Sequence, residues 1–420
     1  MSRALVADGV TATPSAIRAV WSSSLYRGAT IALFLSGLGT SAAAPQITLF
    51  LVDELGVSLT TAGLFYLTSI TAPVAGYLVG ARSDRTGKRL GLFRLAAVAG
   101  FLGWIGIALS DQVWMPFVIS AVVLAFAGAA GSQLFAAVHD EVQATATPAG
   151  DGIVSIVRMA LTAGWIVGPV AGSLLATAAG PRVMFAATGL CTLAQIIPMG
   201  FRGIRSAQPV AASAVGGESP TQVPAEPHRP RPALRTMLPL LAFTGLYVLV
   251  YAGEPIKYGY LMIYMDNDLH LPTAVSGAVI GIQPFIELIL MPVAVVVARR
   301  IGMMRLMILA AAFGVGANLC FALTGNALGM FAGQILMGGV WGVFAGLGII
   351  VAQRLLPDAV ATASAIFMGS TAIASALGGL TGGLGVAALG LPHVFLAPAA
   401  YSLVAAVGLA VMSRSRRFAG

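Results

Sequence analysis

Twelve stretches of predominantly apolar residues run along this chain, and each is long enough to cross a lipid bilayer as a helix. Hydrophobic residues make up 58% of the 420 residues and charged residues only 9%, which is more apolar surface than a soluble core can bury. The sequence therefore predicts an all-α integral membrane protein that sits in a lipid bilayer. We place the helices at residues 28–52, 58–81, 90–110, 113–137, 150–177, 182–202, 235–264, 272–298, 303–324, 327–353, 358–387 and 391–413.

The stretch between the sixth and seventh helices is rich in Pro, Ala, Ser and Gly and has no apolar period. Such a composition is typical of a linker, and it divides the chain into two six-helix halves. The N-terminal residues have no continuous apolar core followed by a small-residue cleavage site, so we interpret them as a tail and not as a signal peptide. The predicted parts are a tail at 1–27, a six-helix bundle at 28–203, a cytoplasmic linker at 204–234, a second six-helix bundle at 235–413 and a tail at 414–420.

Basic residues fall almost entirely on one side of this topology. If both termini are cytoplasmic, twenty of the 23 Lys and Arg lie in tails or connectors on that side, Arg182 lies in an outer connector, and Arg158 and Lys257 lie within helices. The positive-inside rule therefore places both termini in the cytoplasm. This asymmetry accounts for the net charge of +8 without a nucleic-acid partner. Cys191 and Cys320 lie inside apolar windows, which predicts buried side chains with neither a disulfide nor a metal.

The connector between the second and third helices concentrates charge in a chain that otherwise has little. It contains the run Gly80-Ala-Arg-Ser-Asp84-Arg85-Thr-Gly87-Lys88-Arg89. This run resembles the signature G-x-L-x-D-R-x-G-R-K/R that transporters of the major facilitator superfamily carry in the same connector. Arg82 departs from the signature because the family usually has an aliphatic residue there. An ordinary positive-inside loop would explain the basic residues, but it would not explain Asp84 and Gly87 at this spacing.

This resemblance implies a major facilitator fold, with twelve helices in two halves that work by alternating access. Asp84 can then accept charge-assisted hydrogen bonds from Arg residues and from backbone N–H groups of a facing helix end, while Gly87 permits the tight turn into the third helix. We expect a latch that forms when the halves close on the cytoplasmic side and breaks when they open there. A partial copy of this signature lies in the second half, from Val296 to Arg305, and has Arg299 in place of the acid.

The predicted fifth helix carries small residues four apart, Gly164, Gly168 and Gly172, with Pro169 among them. The series resembles the later part of the pattern G-x8-G-x3-G-P-x2-G-G of proton-coupled exporters, although serine stands at its first and last glycine positions. Small residues at this spacing let helices approach closely, and proline adds a bend. Generic close packing in a glycine-rich membrane helix is the alternative interpretation.

Several longer blocks resemble the bacterial sugar efflux transporters, a branch of the same superfamily. These blocks are Ala43 to Val57, Gly63 to Ile70, Gln133 to Glu141, Val154 to Pro169, Phe285 to Pro292 and Gln353 to Gly369. The resemblance implies a monomer in the bacterial inner membrane that exports simple sugars or glycosides by proton antiport, driven by the proton gradient without a cofactor. A drug exporter of the same fold is the alternative. A membrane-embedded enzyme is less well supported, because we find no nucleophile, metal or nucleotide motif with suitable spacing.

Ionisable residues within the helices are functional candidates, because each costs roughly 2.5 kcal/mol or more at the bilayer centre. Glu287 lies about halfway along the eighth helix, and Gln283 shares its face. A buried carboxyl group in this position can bind and release a proton, and a fixed hydrogen bond to a neighbouring helix is the alternative. Glu254 and Lys257 are three residues apart in the seventh helix, a spacing that permits an internal salt bridge.

Arg158 lies one or two turns from the cytoplasmic end of the fifth helix. It either forms a proton-linked ion pair with an acid at the end of the fourth helix, Asp140 or Glu141, or snorkels toward the surface. The proton-coupling candidates are therefore Glu287, Glu254, Arg158, Asp140 and Glu141.

Aromatic and amide side chains within the helices are candidates for binding the substrate. Aromatic faces bind the C–H surfaces of sugars, and amide or carboxylate groups bind their hydroxyls, so the tyrosines around the charged pair of the seventh helix suit a sugar cavity. An interfacial aromatic belt is the alternative for Tyr260 and Tyr264. The substrate-binding candidates are Gln46, Gln133, Trp165, Tyr251, Lys257, Gln283 and Gln353.

Overall fold

The computed structural model describes residues 14–145, 149–200 and 234–414. In this part of the chain twelve helices are long and apolar enough to cross a membrane, which confirms the number predicted from the sequence. Only the last position of the predicted linker and the first position of the predicted C-terminal tail belong to the described residues. The helices are α1 (Ser24–Glu54), α2 (Leu59–Thr86), α3 (Arg89–Ala108), α4 (Trp114–Ala144), α5 (Gly152–Ala179), α6 (Pro181–Met199), α7 (Arg235–Asp268), α8 (Thr273–Ile301), α9 (Met303–Leu323), α10 (Ala327–Leu355), α11 (Thr362–Leu389) and α12 (His393–Ser413).

A short helix, Pro14–Ser22, precedes α1 within the segment predicted as a tail. Its residues Ala16 and Val20, one turn apart, are buried against the first half. Ser23 then caps α1, because its side chain accepts a hydrogen bond from a backbone N–H three residues further on (3.5 Å). As a result α1 begins at Ser24, four residues before the predicted position 28.

The first helix of each half ends in the same local structure. Both α1 and α7 finish in a π-helical turn, Phe50–Glu54 and Tyr264–Asp268. In both turns the backbone N–H of the following leucine donates to the carbonyl of the first residue, at 3.3 Å and 3.1 Å. The next residue has a positive φ in each half, 65° at Gly56 and 48° at His270. Two copies of one turn at corresponding points indicate that the halves are structural repeats.

Two glycines make the tight connections at corresponding places in the two halves. Gly87 joins α2 to α3 and Gly302 joins α8 to α9, with φ of 63° and 91°. Glycine adopts this conformation without the steric penalty that a Cβ would bring. The prediction that Gly87 makes the turn into the third helix is therefore confirmed. Gly302 has a positive φ at the corresponding place but a different ψ, 142° against 4° at Gly87, so the two turns differ in geometry.

The two halves touch each other on the side opposite the described chain ends. Tyr260 of α7 donates a hydrogen bond to the carbonyl of Leu59 at the start of α2 (3.0 Å). A Cβ at Gly63 of α2 would collide with the Tyr260 hydroxyl and lie only 3.0 Å from Gly383 of α11, and a Cβ at Gly277 of α8 would collide with α5. These small residues let three helix pairs, α1 with α7, α2 with α11 and α5 with α8, close the seam between the halves.

The halves separate on the side where the described chain begins and ends. A Cβ placed on Gly76 or Gly80 of α2, or on Gly369 of α11, would meet no atom within 4 Å. Tyr77, beside the first of these glycines, is 74% exposed. The space between the halves therefore opens toward this side and is closed on the other.

Candidate substrate and proton site

A buried ion pair lies in α7, in the part of the second half that faces the first. α7 is interrupted at Ala252 and resumes at Gly253, so Glu254 stands in the first turn of the new segment. The Lys257 ammonium group donates to both carboxylate oxygens of Glu254, each at 2.8 Å. Lys257 is 0% exposed and Glu254 is 9% exposed. The salt bridge expected from the three-residue spacing is present, and it is almost completely withdrawn from solvent.

Side chains from two further helices form hydrogen bonds with this ion pair. Lys257 also donates to the side-chain oxygen of Gln283 in α8, so all three of its N–H donors are used. The indole N–H of Trp341 in α10 donates to Oε1 of Glu254 at 2.7 Å. We call these four residues, Glu254, Lys257, Gln283 and Trp341, the charged network. It joins α7, α8 and α10 and satisfies the buried charges with hydrogen bonds, as a buried ion pair requires.

Glu287 lies one helical turn beyond Gln283 on α8, and its environment is different. It is only half-buried, and among the described residues it makes no hydrogen bond. The charges that act on it are those of Glu254 and Lys257, from its own half, and of Arg158, from the other half. The fixed hydrogen bond that the sequence left open as an alternative is therefore not formed in this conformation, and the Glu287 carboxylate has no direct partner in the described part of the chain.

Arg158 is exposed on α5 and forms neither of the ion pairs considered from the sequence. Asp140 pairs with Arg89 instead, at 2.5 Å, and Glu141 forms no ion pair within the described residues. Asp140 is engaged because the ends of α2, α3 and α4 meet within the first half, whereas Arg158 acts electrostatically on Glu287 across the space between the halves. Of the two interpretations left open for Arg158, the ion pair with Asp140 or Glu141 is not formed in this conformation.

Aromatic side chains line the network on two sides. The Tyr251 and Trp341 rings meet edge to face, with centroids 5.1 Å apart. The Lys257 ammonium group lies 4.4 Å from the centre of the Tyr258 ring, a cation–π contact. Trp165 of α5 approaches Tyr258 from the other half, with ring centroids 6.3 Å apart. Polar groups and flat apolar faces thus lie next to each other where the halves meet.

The remaining predicted substrate residues are not gathered at this network. Gln46 donates to Ser173 within the first half (3.1 Å), and Gln353 donates to Ser364, between α10 and α11 (2.9 Å). Gln133 is buried in the first half, and its side-chain oxygen has no hydrogen-bond partner in the described part of the chain. The structure therefore brings together Trp165, Tyr251, Lys257 and Gln283 with both glutamates, and leaves the other three glutamines elsewhere.

Trp341 is a member of the network that is not among the substrate-binding candidates predicted from the sequence. Its indole N–H needs a hydrogen-bond partner when it is buried. Trp341 lies in the middle of α10, far from the ends where tryptophan usually marks the membrane interface. That position is a signal that could have indicated a buried polar partner, although it could not have named Glu254, 87 residues away in the chain.

Comparison with known families identifies the fold. A model described as the Major Facilitator Superfamily matches residues 29–357, from the start of α1 to just beyond the end of α10. The chain belongs to the major facilitator superfamily. Its relatives are named as transporters, so this superfamily member is a transporter and not an enzyme. It is a multi-pass bacterial membrane protein with a small-molecule substrate.

Several curated relatives of this superfamily member carry names that refer to sugars. A putative sugar efflux transporter of Deinococcus radiodurans is 28% identical over 384 residues, which cover 90% of this chain and 95% of the relative. Sugar efflux transporter A of Dickeya chrysanthemi is 25% identical and covers 84% of this chain and 86% of the relative. Sugar efflux transporter B of Salmonella typhimurium is 25% identical, with 84% and 87% covered.

Solved structures show the same fold at low sequence identity. The nucleoside transporter NupG superposes with a TM-score of 0.76 at 16% identity, covering 93% of this chain and 100% of that one. A D-xylose-proton symporter superposes with a TM-score of 0.68 at 16% identity, covering 92% and 96%. The expected major facilitator fold is therefore confirmed.

The side chains of the superfamily signature between α2 and α3 bond to first-half residues in the part of the chain that the structure describes. Arg89 binds the Asp84 carboxylate at 3.0 Å, the Asp140 carboxylate at 2.5 Å and the Ser83 hydroxyl at 3.1 Å. The Asp84 side chain is 72% exposed and makes no contact with the second half among the described residues. Arg85 and Lys88 are exposed. The Asp84 carboxylate is therefore held within the first half in this conformation.

The glycines of α5 pack this helix against α1. A Cβ on Gly164, Gly168 or Gly172 would collide with α1 backbone or side chains, and Ser41 of α1 donates to the carbonyl of Gly164 (3.2 Å). Pro169 lies on another face of α5, next to α8. Close helix packing, the alternative interpretation of this series, therefore accounts for its glycines in this conformation.

Proposed function

We propose that this transporter exports small sugars or glycosides across the bacterial inner membrane in exchange for protons. The names of its relatives support the substrate class, since three of them, matched over most of the chain, are called sugar efflux transporters. One observation supports proton coupling above all. The Glu287 carboxylate forms no hydrogen bond with the described residues, and it lies near a fully hydrogen-bonded ion pair at the place where the two halves face each other.

In this proposal Glu287 carries the proton. A carboxylate without hydrogen-bond donors can gain or lose a proton without breaking other contacts, whereas protonation of Glu254 would disrupt its bonds to Lys257 and Trp341. Glu254 is the second candidate, because a change of charge at Glu287 acts on it electrostatically. Arg158 supplies a positive charge from the opposite half, which stabilises the deprotonated form of Glu287. Asp140 and Glu141 have a lesser role, because they lie at the end of α4, near the signature loop.

The sugar is bound between the aromatic rings and the charged network. Tyr251 and Trp165 offer flat faces to the C–H surfaces of a sugar, and Gln283 and Lys257 lie where hydroxyl groups would meet polar atoms. Binding sites of this kind combine mostly apolar walls with a few fixed polar groups. Gln133, with its unpaired side-chain oxygen, is a further hydroxyl-binding group on the wall of the first half.

The positive-inside rule supports a cytoplasmic position for both termini and the linker. With that orientation, this conformation is open to the cytoplasm and closed to the outside. Asp84 forms the cytoplasmic latch when the halves rock together, after which Gly76 and Gly80 of α2 meet the facing surface of α11 around Gly369. A sugar taken up from the cytoplasm would then be released on the other side.

Transport by purified protein in liposomes tests this function. We expect labelled hexoses, disaccharides or aryl glycosides to accumulate in vesicles with an acidic lumen, when the cytoplasmic face of the protein points outward. A reversed gradient, a proton ionophore and protein-free vesicles should each abolish accumulation. Gradient-driven uptake of drugs but of no sugar would favour a drug exporter of the same fold, and movement of neither class would refute proton antiport.

A further inference from the structure

A second cavity lies on the closed side of the transporter, separate from the charged network. Its volume is about 200 Å³, and it is open to the solvent on that side. Residues of α1 and α5 form one wall and residues of α7 and α8 form the other, so both halves contribute to it. A water molecule occupies about 30 Å³ in the liquid, so the cavity has room for a hydrated ion or a small organic molecule.

Two carboxylates from opposite halves, those of Asp53 and Asp266, line this cavity. Asp53 lies in the π-helical turn that ends α1, and Asp266 lies in the corresponding turn of α7. Their charges interact, with Glu54 as the only other charged group acting on Asp53 within the described residues. Glu54 is itself compensated, because Arg182 lies 3.6 Å from its carboxylate. Both carboxylates are exposed, so water screens their repulsion across the closed seam, and a cation bound between them would replace that repulsion by attraction.

One buried hydroxyl group in the cavity wall also lacks a partner. Gln46, 5% exposed, lines the same wall and donates its amide N–H to Ser173 (3.1 Å). Ser276 of α8, 2% exposed, also lines the cavity, and its hydroxyl has no partner in the described part of the chain. Buried polar groups are nearly always hydrogen-bonded, so such groups indicate a ligand that completes them.

We propose that this cavity binds a small cation, which bridges Asp53 and Asp266 and holds the two halves closed on this side. The available groups are carboxylate, amide and hydroxyl oxygens, the ligands that hard metal ions prefer and that accept hydrogen bonds from an ammonium group. A ligand that binds only the closed seam stabilises that conformation by mass action. The site does not depend on which cargo the transporter carries, and opening of the seam would separate its two carboxylates and release the cation.

Thermal unfolding of the purified full-length protein in detergent tests the site. Mg²⁺, Ca²⁺, Na⁺ and ethanolammonium are titrated separately at constant ionic strength, with choline as the balancing ion. We expect a saturable rise in the unfolding midpoint with at least one of them. A response to metal ions alone would identify an inorganic cation, and a response to ethanolammonium alone would identify an organic one. No response to any cation, or equal shifts with choline, would overturn the proposal.

Variants distinguish cation binding at this site from non-specific attraction of cations to surface charge. Asp53→Asn and Asp266→Asn should each remove the cation response and raise the unfolding midpoint without cation, since each relieves the repulsion. Asp268→Asn is the matched control, because it removes an exposed carboxylate from the same turn of α7 that does not line the cavity, and it should respond like the natural protein. Ser276→Ala should weaken the response. An unchanged response in both Asp53→Asn and Asp266→Asn would contradict the proposed site.

The effect of the cation on the conformation of the transporter is measured separately. Spin labels at Gln112→Cys and Ala274→Cys, exposed positions in opposite halves on the closed side, report the distance across the seam once Cys191 and Cys320 are replaced by serine. Addition of the cation found by unfolding should narrow the distance distribution toward its short component. A broader or longer distribution would show that the cation opens the seam, and this part of the proposal would then be wrong.

Discussion

Glu254 and Glu287 lie on neighbouring helices of the same half, but the two carboxyl groups have opposite surroundings. Glu254 accepts hydrogen bonds at 2.8, 2.8 and 2.7 Å, two from Lys257 and one from Trp341. Glu287 accepts none from the described residues, and only charges at longer range act on it. One carboxylate is part of a fixed network, and the other is open to the space between the halves.

This difference separates two uses of a charge inside a membrane protein. Removal of a charge from water is unfavourable, and a buried pair is tolerated only when hydrogen bonds satisfy both partners. The network around Glu254 meets that condition and fixes the positions of α7, α8 and α10. A carboxylate outside such a network can change its protonation state at little structural cost, which is the property that proton coupling needs. The comparison therefore predicts different consequences for substitutions at the two places.

The largest expected effect is that of Lys257→Met, which leaves Glu254 as an unpaired buried charge. Loss of one partner of a buried ion pair typically costs about 3–5 kcal/mol. We therefore expect the free energy of unfolding to fall by that amount, as measured by chemical denaturation in mixed micelles. The double variant Glu254→Gln/Lys257→Met is the control and should recover most of the loss, because no unpaired charge remains.

The comparison between the two glutamates would fail if the single and double variants had the same stability. That result would mean that the lost stability comes from packing around the lysine side chain and not from the charge left on Glu254.

A smaller effect is expected from Trp341→Phe, which keeps an aromatic ring against Tyr251 but removes the N–H donor to Glu254. A hydrogen bond to a charged group contributes about 1.5–3 kcal/mol, so we expect a decrease of that size in the free energy of unfolding. In a Glu254→Gln background the same substitution should cost less, because the acceptor is then uncharged. Equal costs in both backgrounds would mean that Trp341 acts through packing alone.

Local spacing explains what could be predicted of this site from the sequence. Lys257 follows Glu254 by three residues, and Glu287 follows Gln283 by four, so each pair shares a helix face whatever the fold. The twelve helices were predictable for a similar reason, since a bilayer requires long apolar segments. These features depend on residues close together in the chain, and they agree with the structure.

Contacts between helices could not be predicted in the same way. The partner of Trp341 is set by the rotation of α10, which packs its glycines Gly338 and Gly342 closely against α8. Asp140 meets Arg89 and not Arg158 because the ends of α2, α3 and α4 converge. Spacing within one helix carries no information on contacts between different helices. The sequence therefore identified the ionisable residues within the membrane helices, but it did not show which of them bind one another.

The smallest effect on stability, and the one that tests function most directly, is expected for Glu287→Gln. Because Glu287 loses no hydrogen bond in this variant, the free energy of unfolding should change by less than about 0.5 kcal/mol. The amide cannot carry a proton, so transport driven by a proton gradient in proteoliposomes should be lost while exchange of labelled for unlabelled sugar continues. Glu141→Gln, at the end of α4, is the matched control, and because Glu141 has a lesser role it should retain most of the gradient-driven transport. If Glu287→Gln abolished exchange as well, its role would be in binding the sugar, and the free carboxylate would not be the proton carrier.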